Sequence, residues 1–310
     1  MKVIKSTEGV PSEFKGAFIT IGNFDGVHLG HHCIFQKLTR EAHGESRKAA
    51  LVTFVPHPKM ILHPERRPFY LLTTIEEKIN LLEASGLDAV IMIPFTLAYA
   101  EVTAESFILD FLWKELQVRK IFIGHDYNFG KNKGGNKDVL TAFGKKLGFD
   151  VAVINAVSVG DTVISSTRIR KAILGGDVKT AALLLGRPYS VSGAVIEGKR
   201  RGAEMGFPTA NIKPYKELLP ARGVYAAVVK LEGKTYRGVL NIGINPTFGD
   251  VPLSLEVHLM DFSGNIYGKS LEVLFIDRIR EERAFPGPEE LARQIGKDVE
   301  RAGDILKTYC

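Results

Sequence analysis

The hydrophobic pattern of this chain changes type once, after residue 186, and no other feature constrains its fold as tightly. Before that point, short runs that are apolar almost throughout alternate with amphipathic stretches. The runs are AFITIG (17–22), AALVTF (49–54), DAVIMI (88–93), KIFIG (120–124) and DVAVINAV (150–157); the amphipathic stretches are 30–43, 75–85, 103–117 and 136–147. A strand that is apolar on both faces is one that is covered on both faces. The alternation therefore predicts a parallel sheet wrapped by helices, a Rossmann-like α/β domain over 1–186. Ligands of such sheets sit at the carboxyl ends of the strands. After 186, VSGAVIEG, GVYAAVVKLEG, KTYRGVLNIG, LSLEVHLMDF and SLEVLFID follow one another across Gly, Asn and Pro turn signals, with little helix until 289–309. That pattern predicts a small antiparallel β-barrel with a terminal helix over 187–310. The expected fold class is α/β plus all-β, with Gly-Arg-Pro at 186–188 as the junction.

Composition narrows the classes of partner. The chain is 45% hydrophobic over 310 residues, enough for two cores. A formal charge of +6 is mild and dispersed; it suits anionic ligands such as nucleotides and gives no support to a nucleic-acid partner. The most apolar stretch, 87–100, is broken by Asp88, Pro94 and Thr96 and falls short of the roughly 20 residues that span a bilayer, so no membrane partner is expected. MKVIKSTEGV has no apolar leader core. The two cysteines, Cys33 and Cys310, have no partner at metal-ligand spacing; Cys33 is expected to be buried, and this usage fits a reducing cytoplasm. The Arg- and Pro-rich run 64–72 is expected to be a mobile loop over a site.

GNFDGVHLGHH directly follows the first apolar run and opens the first amphipathic stretch. His28 and His31 are three apart and share one helical face near its start. Free N–H groups and the helix dipole there favour phosphate, and Gly26 and Gly30 let a polyphosphate approach the backbone. Further on, Ser165, Ser166 and Thr167 can cap a helix and donate to phosphate, with Arg168 or Arg170 as a charge clamp; SSTR by itself is equally a plain N-cap. GKRRGAEMGFPTANI spaces Gly198, Gly202 and Gly206 regularly and has no helix-forming core. A phosphate-wrapping flap and an ordinary glycine-rich hairpin both fit that pattern; it is not a Walker A loop. In LeuSerLeuGluValHisLeuMetAspPhe (253–262), Leu255, Val257 and Leu259 alternate with Ser254, Glu256 and His258. Glu256 on the polar face of a rigid strand can accept a proton from a hydroxyl; a solvated polar face has the same periodicity.

The run from Gly22 to His31 resembles GxFDGxHxGH, the signature of the adenylyltransferase module of bacterial FAD synthetases, and HxGH itself resembles the nucleotidylyltransferase superfamily. ThrPheValProHisPro (53–58) looks like the same family's TFxPHP loop, GHDYNFG (124–130) like GxDFxFG with Tyr127 in place of Phe, and IleSerSerThrArgIleArg (164–170) like ISSTxIR. GRPYSVSGAVIEGKRRGAEMGFPTANI, GlyValTyrAla (223–226), the run NIGINPTFG (241–249), GluValHisLeuMetAspPhe and IleTyrGly (266–268) are similar to the riboflavin kinase module. The resemblance covers nearly the whole chain and implies a bifunctional enzyme that phosphorylates riboflavin and adenylylates FMN, with ATP as co-substrate and Mg²⁺ as cofactor.

It also implies roles for individual residues. His28 and His31 would be catalytic in adenylyl transfer. Gly22, Asn23, Phe24, Asp25, Gly30, Ser165, Ser166, Thr167 and Arg168 would hold ATP phosphates there, and Pro56, His57, Pro58 and Asp126 would lie at the flavin nucleotide. In the kinase module, Gly198, Lys199, Gly202, Gly206, Pro208, Thr209 and Asn211 would surround Mg-ATP, Thr209 and Asn211 touching the metal, and Glu256 would be the base for the ribityl 5′-hydroxyl. Two rival classes are weighed against this. A single-activity nucleotidylyltransferase would lack the kinase motifs after 186, and a flavin-binding protein that had lost catalysis would have a damaged HxGH or no strand Glu.

Overall fold

The structure is a computed structural model that describes all residues except 67, 199–201, 203–204, 245–252 and 310. The chain divides into two compact units. The first holds 1–69 and 75–164, the second 70–74 and 165–310.

The first unit is a six-stranded, wholly parallel sheet. Its strands are β1 (Lys2–Ile4), β2 (Phe18–Ile21), β3 (Ala49–Val55), β4 (Ala89–Pro94), β5 (Lys120–Gly124) and β6 (Asp150–Ile154), in the order β1-β4-β3-β2-β5-β6. The helical elements are α1 (Leu29–Gly44), α2 (Pro58–Leu62), α3 (Ile75–Glu83), α4 (Leu97–Ala100), α5 (Ala104–Ser106), which runs into a π-helical segment over Phe107–Glu115, and α6 (Lys137–Leu147). Strand alternation assigns each apolar run to two cores at once. Ile19, Ile21, Ala50, Val52, Ile91 and Ile121 face the core built with Phe107, Phe111 and Leu140. Phe18, Ala49, Leu51, Val90 and Phe122 face the one built with Phe35, Leu38 and Leu82. This double burial is why the runs read as unbroken apolar segments. The strand order reverses direction between β2 and β5, so the carboxyl ends of these two neighbours flank the crevice where ligands of open α/β sheets bind.

A two-stranded hairpin, β7 (Ser158–Val159) with β8 (Thr162–Val163), ends this unit. The second unit opens with α7 (Ser166–Leu174) and α8 (Val178–Leu185), then forms a closed, wholly antiparallel barrel of β9 (Tyr189–Ile196), β10 (Ala210–Pro214), β11 (Gly223–Leu231), β12 (Lys234–Ile244), β13 (Leu253–Leu259) and β14 (Ser270–Arg280). The terminal helix α9 (Pro288–Leu306) lays Ala302 and Leu306 on Val224, Ala226 and Val228 of β11. β11 is therefore covered from inside the barrel and from outside, and eight of its nine residues are buried.

Three sequence expectations change. Ala210–Pro214, not separated as a strand by the pattern, closes the barrel between β9 and β13, so the Gly-rich stretch joins two antiparallel neighbours, as its hairpin reading has it. Cys33 is exposed, because the buried stripe of α1 runs through Phe35, Leu38 and Ala42 and position 33 lies on the far side of it. The 64–72 run is not loose at its end: Leu72 is 2% exposed and grouped with the second unit. The pattern change at 186–188 falls between α8 and β9, while the compact unit starts earlier, at Ser165.

Candidate functional site

Three of the segments singled out in the first half leave the sheet at the carboxyl ends of adjacent strands. Pro56–Pro58 follows β3, Gly22–His31 follows β2 and Asp126 follows β5. The central one is built around α1. His28 is its N-cap: the N–H of His31 donates to Nδ1 of His28 (3.3 Å) and the N–H of His28 donates to Nδ1 of His31 (3.4 Å). This reciprocal cap stacks the two imidazoles, with centroids 3.5 Å apart and planes 18° apart. Both Nδ1 atoms accept, so a neutral ring carries its proton on Nε2. A Cβ at Gly30 would stand 3.2 Å from the His28 ring, which explains glycine there. Phe24 is buried in the core, edge-on to His31 at 5.0 Å and packed on Phe35. Its side chain packs beneath the histidines.

The turn before α1 is conformationally demanding. Phe24 and Val27 have positive φ (48° and 41°), as does Gly26, and for side chains of this size that conformation needs support from its surroundings. The Asn23 carbonyl accepts from Thr53 Oγ1 (3.2 Å) and from Lys78 Nζ (2.9 Å). Asp25 and Lys78 are 2% and 8% exposed. Burial pushes the Lys78 ammonium below the ordinary lysine value, and the charge of Asp25 opposes this. Lys78 has no signal in the sequence beyond its place in an amphipathic helix.

His57 caps α2, its Nδ1 accepting from the Lys59 N–H (3.2 Å), and its ring lies 4.7 Å from that of Phe69. Pro58 occupies the first turn, where its missing N–H costs nothing. Asp126 is exposed in the turn after β5, its carbonyl accepting from Asn128 Nδ2. In the second unit, Ser165 caps α7, its Oγ accepting from the Arg168 N–H (3.3 Å), with Ser166 and Thr167 in the first turn.

The second constellation lies in the barrel. On β13, Leu255, Val257 and Leu259 are buried and Ser254, Glu256 and His258 are not, as the alternation predicts. Glu256 stands opposite Asn211 of β10 on one side and Asn241 of β12 on the other. Directly opposed residues share a face, so the carboxylate sits between two amides. Glu256, Asn241, Thr209 and His258 line a cavity of about 730 Å³ with Arg280 and Phe285. Nδ1 of His258 is 2.9 Å from the Pro208 carbonyl, which can only accept; the ring therefore carries its proton on Nδ1 and ties the residue before Thr209 to β13.

The glycines of this region have separate reasons. The N–H of Phe207 donates to the Gly202 carbonyl (2.8 Å), and a Cβ at Gly202 would lie 3.1 Å from Thr209 Oγ1. At Gly198 a side chain would collide with the Asn211 amide. Gly206 has φ 84°. At the cavity wall, Arg280 grips Asp298 of α9 through Nε (3.0 Å) and Nη2 (2.7 Å). Lys199, Arg200 and Arg201, and 245–249 of the motif at 241–249, lie outside the described residues. Asn241, His258 and Arg280 were not singled out as site residues from the sequence, because their relevance depends on register and on partners far along the chain.

The fold and the two constellations define the class: an α/β module with a histidine-capped helix at its switch point, followed by a small closed barrel with a carboxylate between amides. Residues 10–168 match the FAD synthetase family and residues 185–306 the riboflavin kinase family. A bifunctional riboflavin kinase/FMN adenylyltransferase from Haemophilus influenzae is 39% identical over 97% of this chain and 98% of its own length. One of the same description from Escherichia coli K12 is 36% identical over 96% of each. The chain belongs to the bifunctional riboflavin kinase/FMN adenylyltransferase family. A solved structure from Streptococcus pneumoniae, described as a macrolide-efflux protein, is 32% identical and superposes with a TM-score of 0.87 over 97% of both chains. Among the described residues of the present chain, no helix is long and apolar enough to cross a membrane.

Proposed function

We propose that this chain makes FMN from riboflavin and FAD from FMN, using ATP at a separate site for each step. The observation that carries this is the double family match over the two folds, each spanning its own half of the chain. Three of the segments expected from the sequence follow adjacent strands of the first sheet, and Glu256 stands between two asparagines of the barrel, which supports it.

In adenylyl transfer, a phosphate oxygen of FMN attacks the α-phosphorus of ATP and pyrophosphate leaves. No protein nucleophile is needed, so positioning and charge stabilisation supply the rate. His28 and His31 serve as two Nε2–H donors to the phosphates. Gly22, Asn23, Asp25 and Gly30 form the turn that receives the phosphates, with the first-turn N–H groups of α1 adding to it. Phe24 contributes its backbone only. Ser165, Ser166, Thr167 and Arg168 hold further phosphate oxygens of ATP, and Pro56, His57, Pro58 and Asp126 hold the flavin nucleotide.

In the kinase reaction, the ribityl 5′-hydroxyl attacks the γ-phosphorus, Glu256 takes the proton and ADP leaves. Asn241 and Asn211 keep that carboxylate in place. Gly198, Lys199, Gly202, Gly206 and Pro208 surround ATP. Thr209 and Asn211 offer neutral oxygen donors, a donor set that suits Mg²⁺ carried largely by phosphates; the ion would neutralise charge on the transferring phosphoryl group. We assign the first activity to 1–186 and the second to 187–310, and a cytoplasmic location, which suits the supply of ATP and two cysteines without a partner motif.

Incubation with riboflavin and Mg-ATP, followed by chromatographic separation of the flavins, tests this. FAD is the expected product. His28→Ala is expected to accumulate FMN, with adenylyl transfer slowed about 100-fold or more. Glu256→Ala is expected to stop FMN formation while supplied FMN still becomes FAD. Unchanged riboflavin with the native chain would defeat the reading.

A further inference from the structure

Lys78 is out of place on its helix. α3 buries position 78 together with Leu82, one turn on, so the lysine occupies the stripe that an amphipathic helix normally fills with apolar side chains. An ammonium is costly to bury unless it is paired. Two groups of the turn that leads into the histidine pair act on Lys78, one through a hydrogen bond and one through its charge. Its Nζ donates to the Asn23 carbonyl (2.9 Å), and the charge of Asp25, itself buried, acts on it. Between Asn23 and His28 the chain passes through Phe24, Gly26 and Val27, all at positive φ. Thr53 holds the same Asn23 carbonyl from β3 without a charge. The Asn23 carbonyl is therefore held from two elements, α3 and β3, and of these two donors Lys78 is the charged one.

We propose that Lys78 is a positioning residue for adenylyl transfer: its buried ammonium, bonded to the Asn23 carbonyl, fixes the turn that sets the stacked His28 and His31 at the start of α1. This rests on the reading of those histidines as phosphate donors. A neutral side chain at 78 removes the charged one of the two donors to the Asn23 carbonyl, on a strained turn, and the histidines then drift relative to the α-phosphorus. Small displacements of groups that align reacting atoms lower turnover more than binding. The loss therefore falls on kcat, with the KM for ATP little changed.

Steady-state adenylyl transfer from ATP to FMN is measured in the full-length chain for K78Q, K78R and T53V, with riboflavin phosphorylation by the same preparations as the internal control. K78Q is expected to lower kcat by about tenfold or more, with KM for ATP moving less than about threefold. K78R, which keeps the charge, is expected to recover most of that loss, and T53V to stay within about threefold of the native chain. Riboflavin phosphorylation is expected to be unchanged in all three. K78M serves as the neutral variant where K78Q does not fold. Native turnover in K78Q overturns the assignment, as does a T53V loss equal to that of K78Q with no recovery in K78R. If the native chain makes no FAD, the functional reading falls as well; the Lys78 assignment falls alone when the native chain makes FAD and K78Q matches it.

Discussion

The Tyr127 hydroxyl is shielded from solvent and has no hydrogen-bond partner among the described residues. Burial pushes its pKa well above the ordinary tyrosine value, so it remains a neutral, desolvated donor. Its ring stacks on Phe129 at 5.4 Å, which phenylalanine would also do, and Phe is the residue of the resembled motif. Tyr127→Phe is expected to leave stability unchanged or raise it by up to about 1 kcal/mol, since an unmade hydrogen bond is removed with its desolvation cost. Urea unfolding measures this, and a clear loss of stability would mean that the hydroxyl is bonded after all. The same residue scale shows what sequence can carry. His28 and His31 were legible because they are three apart and sit beside a strand end, a purely local relation. Their reciprocal cap was not, since it needs the ring orientations. Lys78 reaches Asn23 across 55 positions, and Asn241 meets Glu256 only through the register of β12 with β13. Nothing in the local pattern of either residue encodes that partner.

Among the elements, Asp88, just before β4, ties in β3 and the end of α1 through three side-chain contacts. It accepts from the Ala49 N–H at the start of β3 (2.8 Å), from Lys48 Nζ (3.1 Å) and from His43 Nε2 in the last turn of α1 (2.9 Å). Burial disfavours its ionised form, but the Ala49 N–H, His43 and Lys48 together outweigh that and hold its pKa below the ordinary value of 3.8. With a folded pKa below the unfolded one, the carboxylate stabilises the fold fully above pH 3.8 and loses that contribution as pH falls through the folded value. Asp88→Ala is expected to cost about 1–2 kcal/mol at pH 7. The gap to the native chain should close below pH 3.8 in denaturant titrations at stepped pH; a gap that stays constant would show that charge is not the cause. Elements were legible where one periodicity ran long enough. The five apolar runs of the first half became β2 to β6, and the amphipathic stretches became α1, α3, the helical run ending at Glu115, and α6. β1 has three residues and β10 five, and β10 directly follows a Gly-rich stretch with Pro208, so neither offers a pattern to read. Both exist because neighbouring strands supply their hydrogen bonds.

For the molecule as a whole, pattern and compactness draw different boundaries. Hydrophobic period changes at 186, where helices give way to strands, but α8 packs on β9 and β14, and Lys179 pairs with Asp277 (2.7 Å), so the compact barrel unit includes both helices before the change. It also includes Tyr70–Thr74, more than 90 positions earlier in the chain. Arg170 Nε donates to the Tyr70 carbonyl (2.6 Å) and Lys216 Nζ to the Leu72 carbonyl (3.2 Å). Lys216 is itself buried, with its ammonium 4.5 Å from the centre of the Tyr189 ring. Cations on the main chain of this five-residue strap at Tyr70 and Leu72, with the Leu72 side chain 2% exposed, make the strap part of the second unit's structure although it lies inside the FAD synthetase match. Leu72→Ala is therefore expected to destabilise the unit that contains the riboflavin kinase match, by about 2–5 kcal/mol as for other buried leucines. In urea, kinase activity of the variant should fail at a lower concentration than in the native chain, measured on full-length protein after equilibration. Coincident midpoints for the two chains would mean that the strap lies on the barrel unit without supporting it.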